Sequence, residues 1–417
     1  MKKETKSSGI KYIVDGITHI IKTFEKRPPG SKGERDAQNY MASELEKTMD
    51  KVWIEDFDLH PSAFMGWIYI TVSLILLAVA MFWVSRLLTL VFVLLALVPM
   101  LTQLILYKET FDFLFKKATS CNVVSVKAPK GEVKRRIVLN GHADATWEWT
   151  FLYKFGFKFM VVAFVLVLIG ALFFIGVSVI DLIINGVAFG APTATFTIIW
   201  YCGLVFVPVF LAFLWFSDEK TVVDGANDNL SGCYIPMAVA KALKDESIEL
   251  ENTELMVVLS GSEEAGLRGA KRYAAKHAPD ILADEKKGID TIFIPVETFR
   301  EKEHISVIKR DLNMTVPCDF QVMKLICDAG AALGYDIPRV NAELGSTDAA
   351  AFTQAGLKAT CLVGMDHELK PYYHTRRDTY DNLCEETLGI GLDILYETTL
   401  KFDREGLSEL PIPTSKK

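Results

Sequence analysis

The sequence predicts an α/β protein: a mostly parallel mixed sheet flanked by helices, with two transmembrane helical hairpins inserted into it. Three observations lead there. Half of the 417 residues are hydrophobic and only 23% are charged, with a mean hydropathy of +0.24, yet the excess is gathered into four runs without a charge. Outside those runs, strand-like and helix-like segments alternate, as in a parallel sheet covered by helices. Polar and acidic residues also recur just after the strand-like runs, where open α/β sheets bind ligands.

The four runs cover residues 63–84, 87–107, 159–180 and 194–216 and are 21 to 23 residues long. A hydrocarbon layer of roughly 30 Å needs about 20 helical residues, so each run is long enough to cross it. Core helices of a soluble protein keep a polar face and rarely stay uncharged over such a length. Ser85-Arg86 joins the first pair, and residues 181–193, with Asn185-Gly186 and Ala191-Pro192 as turn signals, join the second. Each pair is a hairpin that returns the chain to the side it left. Everything polar, residues 1–62, 108–158 and 217–417, is then expected on one side of the membrane as one discontinuous domain, with 63–107 and 159–216 as the hairpins. Lys108, Lys116, Lys117, Lys154, Lys158 and Lys220 flank the runs on that side, against Arg86 on the other. By the positive-inside rule the polar domain is expected to face the cytoplasm, and the membrane is expected to be a bacterial-type plasma membrane. The opening residues lack the continuous apolar stretch of a signal peptide, and seven cysteines without a CxxC pair suit a reducing compartment. A net charge of −7 argues against a nucleic-acid partner.

Along the polar domain, 11–25 has a helical pattern and ends at the turn 27–31. Residues 33–49 form an amphipathic helix with Ala37, Tyr40, Met41 and Leu45 on one side. Strands are expected at 121–126, 136–139, 254–259, 291–296 and 358–363, and helices at 230–243, 265–275, 318–333 and 383–400. The tail 411–417 is expected to be loose. The 136–139 run leads into Asn140-Gly141-His142-Ala143-Asp144, 254–259 into Ser260-Gly261-Ser262-Glu263-Glu264, and 291–296 into Glu297. Gly225-Ala226-Asn227-Asp228-Asn229 precedes a helix, and Tyr373-His374-Thr375 with Asp378 lies in a late loop. Singly, each has an ordinary explanation: Asp228 as a helix cap, Glu263-Glu264 as charge at a helix start, a histidine as a surface residue. Together they are two imidazoles and several carboxylates at strand ends, a donor set for zinc or a related divalent ion.

In order along the chain, RPPGSKGERDAQNYMASEL, NVVSVKAP, IVLNGHADA, GANDNLSG, LSGSEEAGLRGAKRY, FIPVE, GSTDAAAF and YHTRRDTYDNL resemble the co-catalytic zinc aminopeptidases. That family includes bacterial leucyl aminopeptidase and aminopeptidases S and Y, and is related to glutamate carboxypeptidase II and glutaminyl cyclase. The motifs cover essentially all of the polar domain and none of the apolar runs. The 86-residue step from His142 to Asp228 falls to 26 once 158–217 is set aside, so the second hairpin interrupts a loop of the enzyme. The resemblance implies the zinc exopeptidase fold and two divalent metal ions, zinc first among them. Asp228 would bridge the two ions, His142 and Glu297 completing one site, Glu264 and His374 the other. Glu263 would be the general base and Asp144 would orient His142. The sequence departs from the family pattern at Glu297, where its aminopeptidases commonly carry Asp, and at Ala349 after Asp348, where many members carry His.

The expected function is a membrane-anchored exopeptidase removing N-terminal residues from peptides, with four helices in the lipid bilayer and a peptide as substrate. A glutaminyl cyclase with one zinc is the alternative among enzymes, and a receptor or scaffold on an inactive peptidase fold the alternative outside them. The latter predicts lost ligands or a lost base, and Glu263 and all five ligands are present. A transporter would carry charges within its spans, and the four runs have none.

Overall fold

The computed structural model describes residues 1–186, 188–366 and 368–407; the tail expected at 411–417 lies outside them. The strands, in chain order, are β1 (Lys51–Leu59), β2 (Ala118–Lys127), β3 (Arg135–His142), β4 (Trp147–Trp149), β5 (Ser217–Val222), β6 (Thr253–Ser260), β7 (Asp290–Phe299), β8 (Ile305–Asp311), β9 (Val316–Pro317), β10 (Arg339–Asn341), β11 (Lys358–Ala359) and β12 (Leu362–Gly364). One sheet runs β1-β2-β6-β3-β7-β12-β8-β10, and β4 and β5 form a separate ribbon. Its centre, β6-β3-β7-β12, is parallel. Antiparallel pairs lie toward the edges, at β1-β2, β2-β6 and β12-β8. This is the mostly parallel mixed sheet the sequence predicts.

Side chains alternate across the central strands with the two-residue period of a pleat. Ile137 and Leu139, Val257 and Leu259, and Ile292 and Ile294 meet Ile13, Ile17, Tyr234, Val322 and Leu388 from the helices Lys3–Thr23, Gly232–Asp245, Phe320–Ala332 and Glu385–Glu405. Val138, Met256, Val258 and Phe293 meet Tyr273, Ala274, Ala349 and Phe352 from Arg268–Glu285 and Asp348–Gln354 on the opposite face. Strands buried on both faces read as unbroken apolar runs, which is why β6 and β7 are visible in the sequence. The edge strand β1, KVWIEDFDL, is half exposed and carries alternating charges, so nothing in its composition marks a strand. The single strand expected at 358–363 is two short ones, because the chain shifts there: β11 pairs only with β7, whereas β12 sits between β7 and β8.

Four apolar helices, Ala63–Met81, Arg86–Ile105, Phe157–Asn185 and Ala194–Trp215, are long and apolar enough to cross a membrane. Their inner faces pack through Trp67, Val72, Ile75, Phe82, Val93, Phe174, Trp200 and Phe210. Their outer faces expose Leu94, Leu101, Val162, Leu172, Ile183, Ile198 and Val205, an apolar surface far larger than a soluble monomer presents. Two glycines allow close approach between the third and fourth helices: a Cβ on Gly170 would lie 2.6 Å from the Phe210 ring, and one on Gly203 2.4 Å from that of Phe173.

One expectation is corrected at the far end of this bundle. The third helix runs to Asn185 and takes in Asp181, which the sequence placed in the connecting loop. Asp181 pairs with Arg86 at 2.9 Å, both side chains 2% exposed. Beside them Ser85 Oγ donates to the Ala188 carbonyl at 2.7 Å, and Ser85 forms a bridge with Phe189. Helix continues past residue 180 because the carboxylate has a cation waiting across the hairpin.

At the near end, each hairpin is tied to the body that carries the sheet. Arg268 lies 2.9 Å from Asp112 and 3.3 Å from Glu109, just beyond the second helix. Arg272 donates twice to Glu109, at 2.9 and 2.6 Å. Asn313 donates to the Ile105 carbonyl at 3.0 Å. The second hairpin leaves and re-enters through the β4-β5 ribbon, in which Trp149 pairs with Ser217.

Candidate metal centre

The register of the parallel strands assembles the site. His142, the last residue of β3, lies opposite Ser260, the last of β6, and Asn140 lies opposite Pro295 of β7. His142, the loop carrying Glu263 and Glu264, and Glu297 therefore converge at one end of the sheet. Asp228 arrives in the tight segment Ala226–Ser231 that feeds the Gly232–Asp245 helix. Gly225 is required there: its φ is +59°, and a Cβ would sit 2.6 Å from the Asp228 carbonyl oxygen. His374 comes from the late loop, its ring stacked on Tyr373 at 3.9 Å and met edge-on by Trp149 at 4.4 Å.

Two triads share one carboxylate. Asp228 Oδ1 lies 3.3 Å from His142 Nε2, which is 3.4 Å from Glu297 Oε1. Asp228 Oδ2 lies 2.9 Å from His374 Nε2, which is 3.1 Å from Glu264 Oε1. Donor atoms of His142, Asp228 and Glu264 come within 4.8 Å of one another. Glu263 Oε2 stands slightly apart, 3.8 Å from His142 Nε2.

All seven residues singled out in the sequence are in this cluster. Asp144 Oδ1 lies 3.2 Å from His142 Nδ1, and the same carboxylate accepts the backbone N–H groups of Glu263 and Glu264, both at 3.0 Å. It thus holds the imidazole and the acidic loop together. Asp378 accepts the backbone N–H groups of Asn227 and Asp228 at 3.0 Å and the Asn227 side chain at 2.7 Å. Asn229 donates to Glu297 Oε2 at 3.0 Å.

Three supporting residues escape the sequence reading. Buried Arg27 donates to the Ala143 carbonyl at 2.9 Å and to that of Asp224 at 2.7 Å, strapping the His142 loop to the Asp228 loop. Glu34 accepts the Ser262 backbone N–H at 2.6 Å and its hydroxyl at 3.0 Å. Trp149, at the base of the second hairpin, orders His374. Arg27 and Glu34 sit inside the conspicuous RPPGSKGERD segment, and Ser31 and Glu34 have capping-box spacing. Glu34 does accept a backbone N–H at this turn, that of Gly30 at 2.7 Å, but the pattern gives no hint of Ser262.

Charge at the site is out of balance. Burial, helped by neighbouring carboxylates, holds Glu263 well above the usual range and pushes Glu297 up to about 8. Burial by itself lowers a histidine, yet Glu297, Glu263, Asp144 and Asp228 outweigh it and hold His142 far up; Glu264 and Asp228 do the same to His374, raised to about 10. Asp228, although buried, is held low by the two imidazoles. Buried Asp228 Oδ2 and Glu264 Oε1 face the single His374 Nε2 and make no well-aligned hydrogen bond, a costly condition for two carboxylate oxygens unless a further cation faces them. Imidazole and carboxylate donors of this kind fit zinc or a related divalent ion.

A cavity of about 200 Å3 opens over the cluster. Asp228, Glu263, Glu264, Glu297 and His374 form its polar floor, and Trp149, Ile308, Val363, Met365 and Tyr373 are among its apolar walls. Neither Lys nor Arg is among the described residues that line it.

A family model described as Peptidase family M28 matches residues 215–399, a segment holding Asp228, Glu263, Glu264, Glu297 and His374. The curated Aminopeptidase YwaD of Bacillus subtilis (strain 168) is 24% identical over 175 residues, which is 41% of this chain and 36% of that protein; the match spans little more than a third of the relative's length. Among solved structures, an aminopeptidase from Aneurinibacillus sp. strain AM-1 superposes with a TM-score of 0.58 at 15% identity, covering 98% of this chain and 97% of that one. BSAP, a zinc aminopeptidase from Bacillus subtilis, superposes at 0.55 with 14% identity, covering 94% and 95%. A glutaminyl cyclase from Bacteroides thetaiotaomicron superposes at 0.52 with 15% identity, covering 95% and 97%. At such identities the solved structures establish the fold. With that fold, the matched segment and the curated relative in agreement, residues 215–399 are similar to peptidase family M28 on a zinc-aminopeptidase-like fold.

Proposed function

We propose that the protein is a metal-dependent aminopeptidase that hydrolyses the first peptide bond of its substrates. One observation carries this reading: the cavity over the shared-carboxylate triads is lined by five carboxylates and, among the described residues, by neither Lys nor Arg. A free amino terminus, positively charged, is neutralised in such a cavity, whereas the terminal carboxylate that a carboxypeptidase must hold finds no lysine or arginine to pair with. The cavity also has apolar walls, among them Trp149, Ile308, Val363, Met365 and Tyr373, that can receive a first side chain.

Two ions would be held, one by His142, Asp228 and Glu297, the other by Asp228, Glu264 and His374. Bound divalent ions act as Lewis acids toward the scissile carbonyl and acidify water at neutral pH. Glu263, close to His142 but outside both triads, takes the proton from the attacking water and hands it to the departing amine. Asp144 keeps His142 in one orientation and anchors the backbone of the loop that carries Glu263. Trp149 and Tyr373 confine the His374 ring, so its Nε2 stays directed at Asp228 and Glu264.

The four apolar helices would anchor this enzyme in a lipid bilayer. The Lys-rich flanks of the helix ends support a catalytic domain on the cytoplasmic side, formed by 1–62, 108–158 and 217–417. Aminoacyl, N-blocked and C-blocked peptides offered to the purified, metal-loaded protein test the proposal. Cleavage of aminoacyl and C-blocked peptides but not N-blocked ones is expected; the reverse preference would make it a carboxypeptidase. Cyclisation of N-terminal glutamine without hydrolysis, with one ion per chain, would make it a glutaminyl cyclase.

A further inference from the structure

The bundle of apolar helices does more than hang from the enzyme, because the near ends of its helices border the cavity. Phe64 and Met65 come from the first turn of the first helix, Tyr107 follows the second, and Phe157 opens the third. The fourth reaches the site through Phe216, which packs against Trp149 at 5.2 Å while Trp149 holds His374. Leu369 and Tyr373 line the cavity and also pack against the bundle.

The mouth lies at the same level. Leu344, 53% exposed, is on its rim, and the loop carrying it is pinned to the end of the second helix. Gly345 donates to Asn313 Oδ1 at 2.9 Å, and Asn313 Nδ2 donates to the Ile105 carbonyl. Met314 is exposed next to Asn313. Phe113, Leu114, Phe155 and Trp215 are exposed beside these helix ends. Gly66 in the first turn of the first helix faces the Phe115 ring, where a Cβ would come within 2.1 Å, so the Phe113 segment packs at that height. Large exposed apolar and aromatic side chains at the ends of bilayer-spanning helices are the pattern of a membrane–water boundary.

We propose that the natural substrates are peptides held at the bilayer surface by an apolar or acylated segment, with a free amino terminus that enters this cavity directly from the boundary. The proposal rests on the aminopeptidase reading and names its substrate class. With Phe64, Met65, Tyr107 and Phe157 as walls, the first side chain is received by apolar surface continuous with the membrane helices. The following residues then leave the cavity beside the near ends of the membrane helices. A site held well above the membrane would instead require a long tether, each extended residue spanning at most about 3.3–3.6 Å.

Spacer length tests this. The full chain is reconstituted in phosphatidylcholine vesicles with metal, and release of N-terminal leucine is measured on a series of peptides. One is short and soluble; the others carry the same Leu-Ala start, a spacer of 2, 5 or 12 Gly-Ser residues, and a C-terminal palmitoyl group. The expected result is a kcat/KM at least about tenfold higher for acylated than for soluble peptide, through raised effective concentration, already present at the shortest spacer. Cleavage of the long-spacer peptide with the short ones resistant would overturn the proposal, since it would put the site far from the lipid. Equal kcat/KM for soluble and acylated peptides would also overturn it, with the aminopeptidase reading intact. Failure to cleave any peptide, soluble ones included, would remove that reading and with it this one.

Discussion

Asp144 has two tasks in one carboxylate, and this makes it the most informative position after Glu263. Asp144→Asn keeps the shape but exchanges one acceptor oxygen for a donor, so either the Glu263 N–H together with the His142 contact, both at Oδ1, or the Glu264 N–H at Oδ2 is lost. A reduction of about 10–100-fold in metal affinity or activity is expected, read by metal titration alongside kcat; unchanged values for both would exclude the positioning role. Glu263→Gln should lower kcat by about 10²–10⁴ with metal content unchanged by elemental analysis, and loss of the metal would instead make Glu263 a ligand. The seven residues of this cluster were legible because each follows a strand or opens a short motif, and strand ends in such sheets converge. Arg27 and Glu34 were not legible as site residues: their partners are backbone groups more than a hundred positions away, which no local pattern records. Lys271 belongs with them. It donates to the Gly266 carbonyl at 2.9 Å and to that of Tyr107, and burial, reinforced by Arg268, pulls its pKa from 10.5 down to about 7. Unfolded chains keep this amine protonated to about 10.4, so folding expels a proton between the two values and native stability rises with pH across that window. The thermal midpoint of the native protein should therefore gain on that of Lys271→Met between pH 7 and pH 9; a constant difference would mean the buried amine stays charged.

At the level of elements, the Arg86–Asp181 pair fastens the far ends of the two hairpins. Removing one partner, as in Arg86→Ala, leaves a buried charge unmatched and should cost about 3–5 kcal/mol, whereas Arg86→Met with Asp181→Leu should recover most of it. Denaturation in detergent micelles compares the three; equal losses for the single and double variants would mean that the pair contributes by packing and not by charge. The four apolar helices were legible from length and absence of charge alone, but the reach of the third was not. Asp181 reads as a loop residue until its partner across the hairpin is known. The central strands were legible from their unbroken apolar runs, and β11 and β12 were legible only as one strand; β1, β9 and β10 were not, since edge and two- or three-residue strands carry too few buried positions to show a period, and nothing in the sequence reading marked β8.

For the molecule as a whole, the acidic surplus at the centre links metal binding to stability. A ligand bound only by the native state raises stability by mass action, so chelation should lower the thermal midpoint, and re-addition of zinc should restore it with about two ions per chain. His374→Ala should then retain one ion and lose the other; retention of both would remove His374 as a ligand. The hairpins carry the apolar excess of the sequence, yet Phe64, Tyr107, Phe157 and Phe216 make them a part of the catalytic architecture that composition alone assigns to anchoring.

The strand order has a consequence for biosynthesis. Strand β3 lies between β6 and β7, and both of these follow the fourth apolar helix in the chain. A ribosome has therefore delivered every helix of the bundle before the centre of the sheet can form. His142 waits unpaired through the passage of the whole second hairpin until residues 253–299 emerge. With the four helices as bilayer anchors, as proposed, insertion would come first and assembly of the metal site second, so the enzyme would be completed only where its bundle had already been placed.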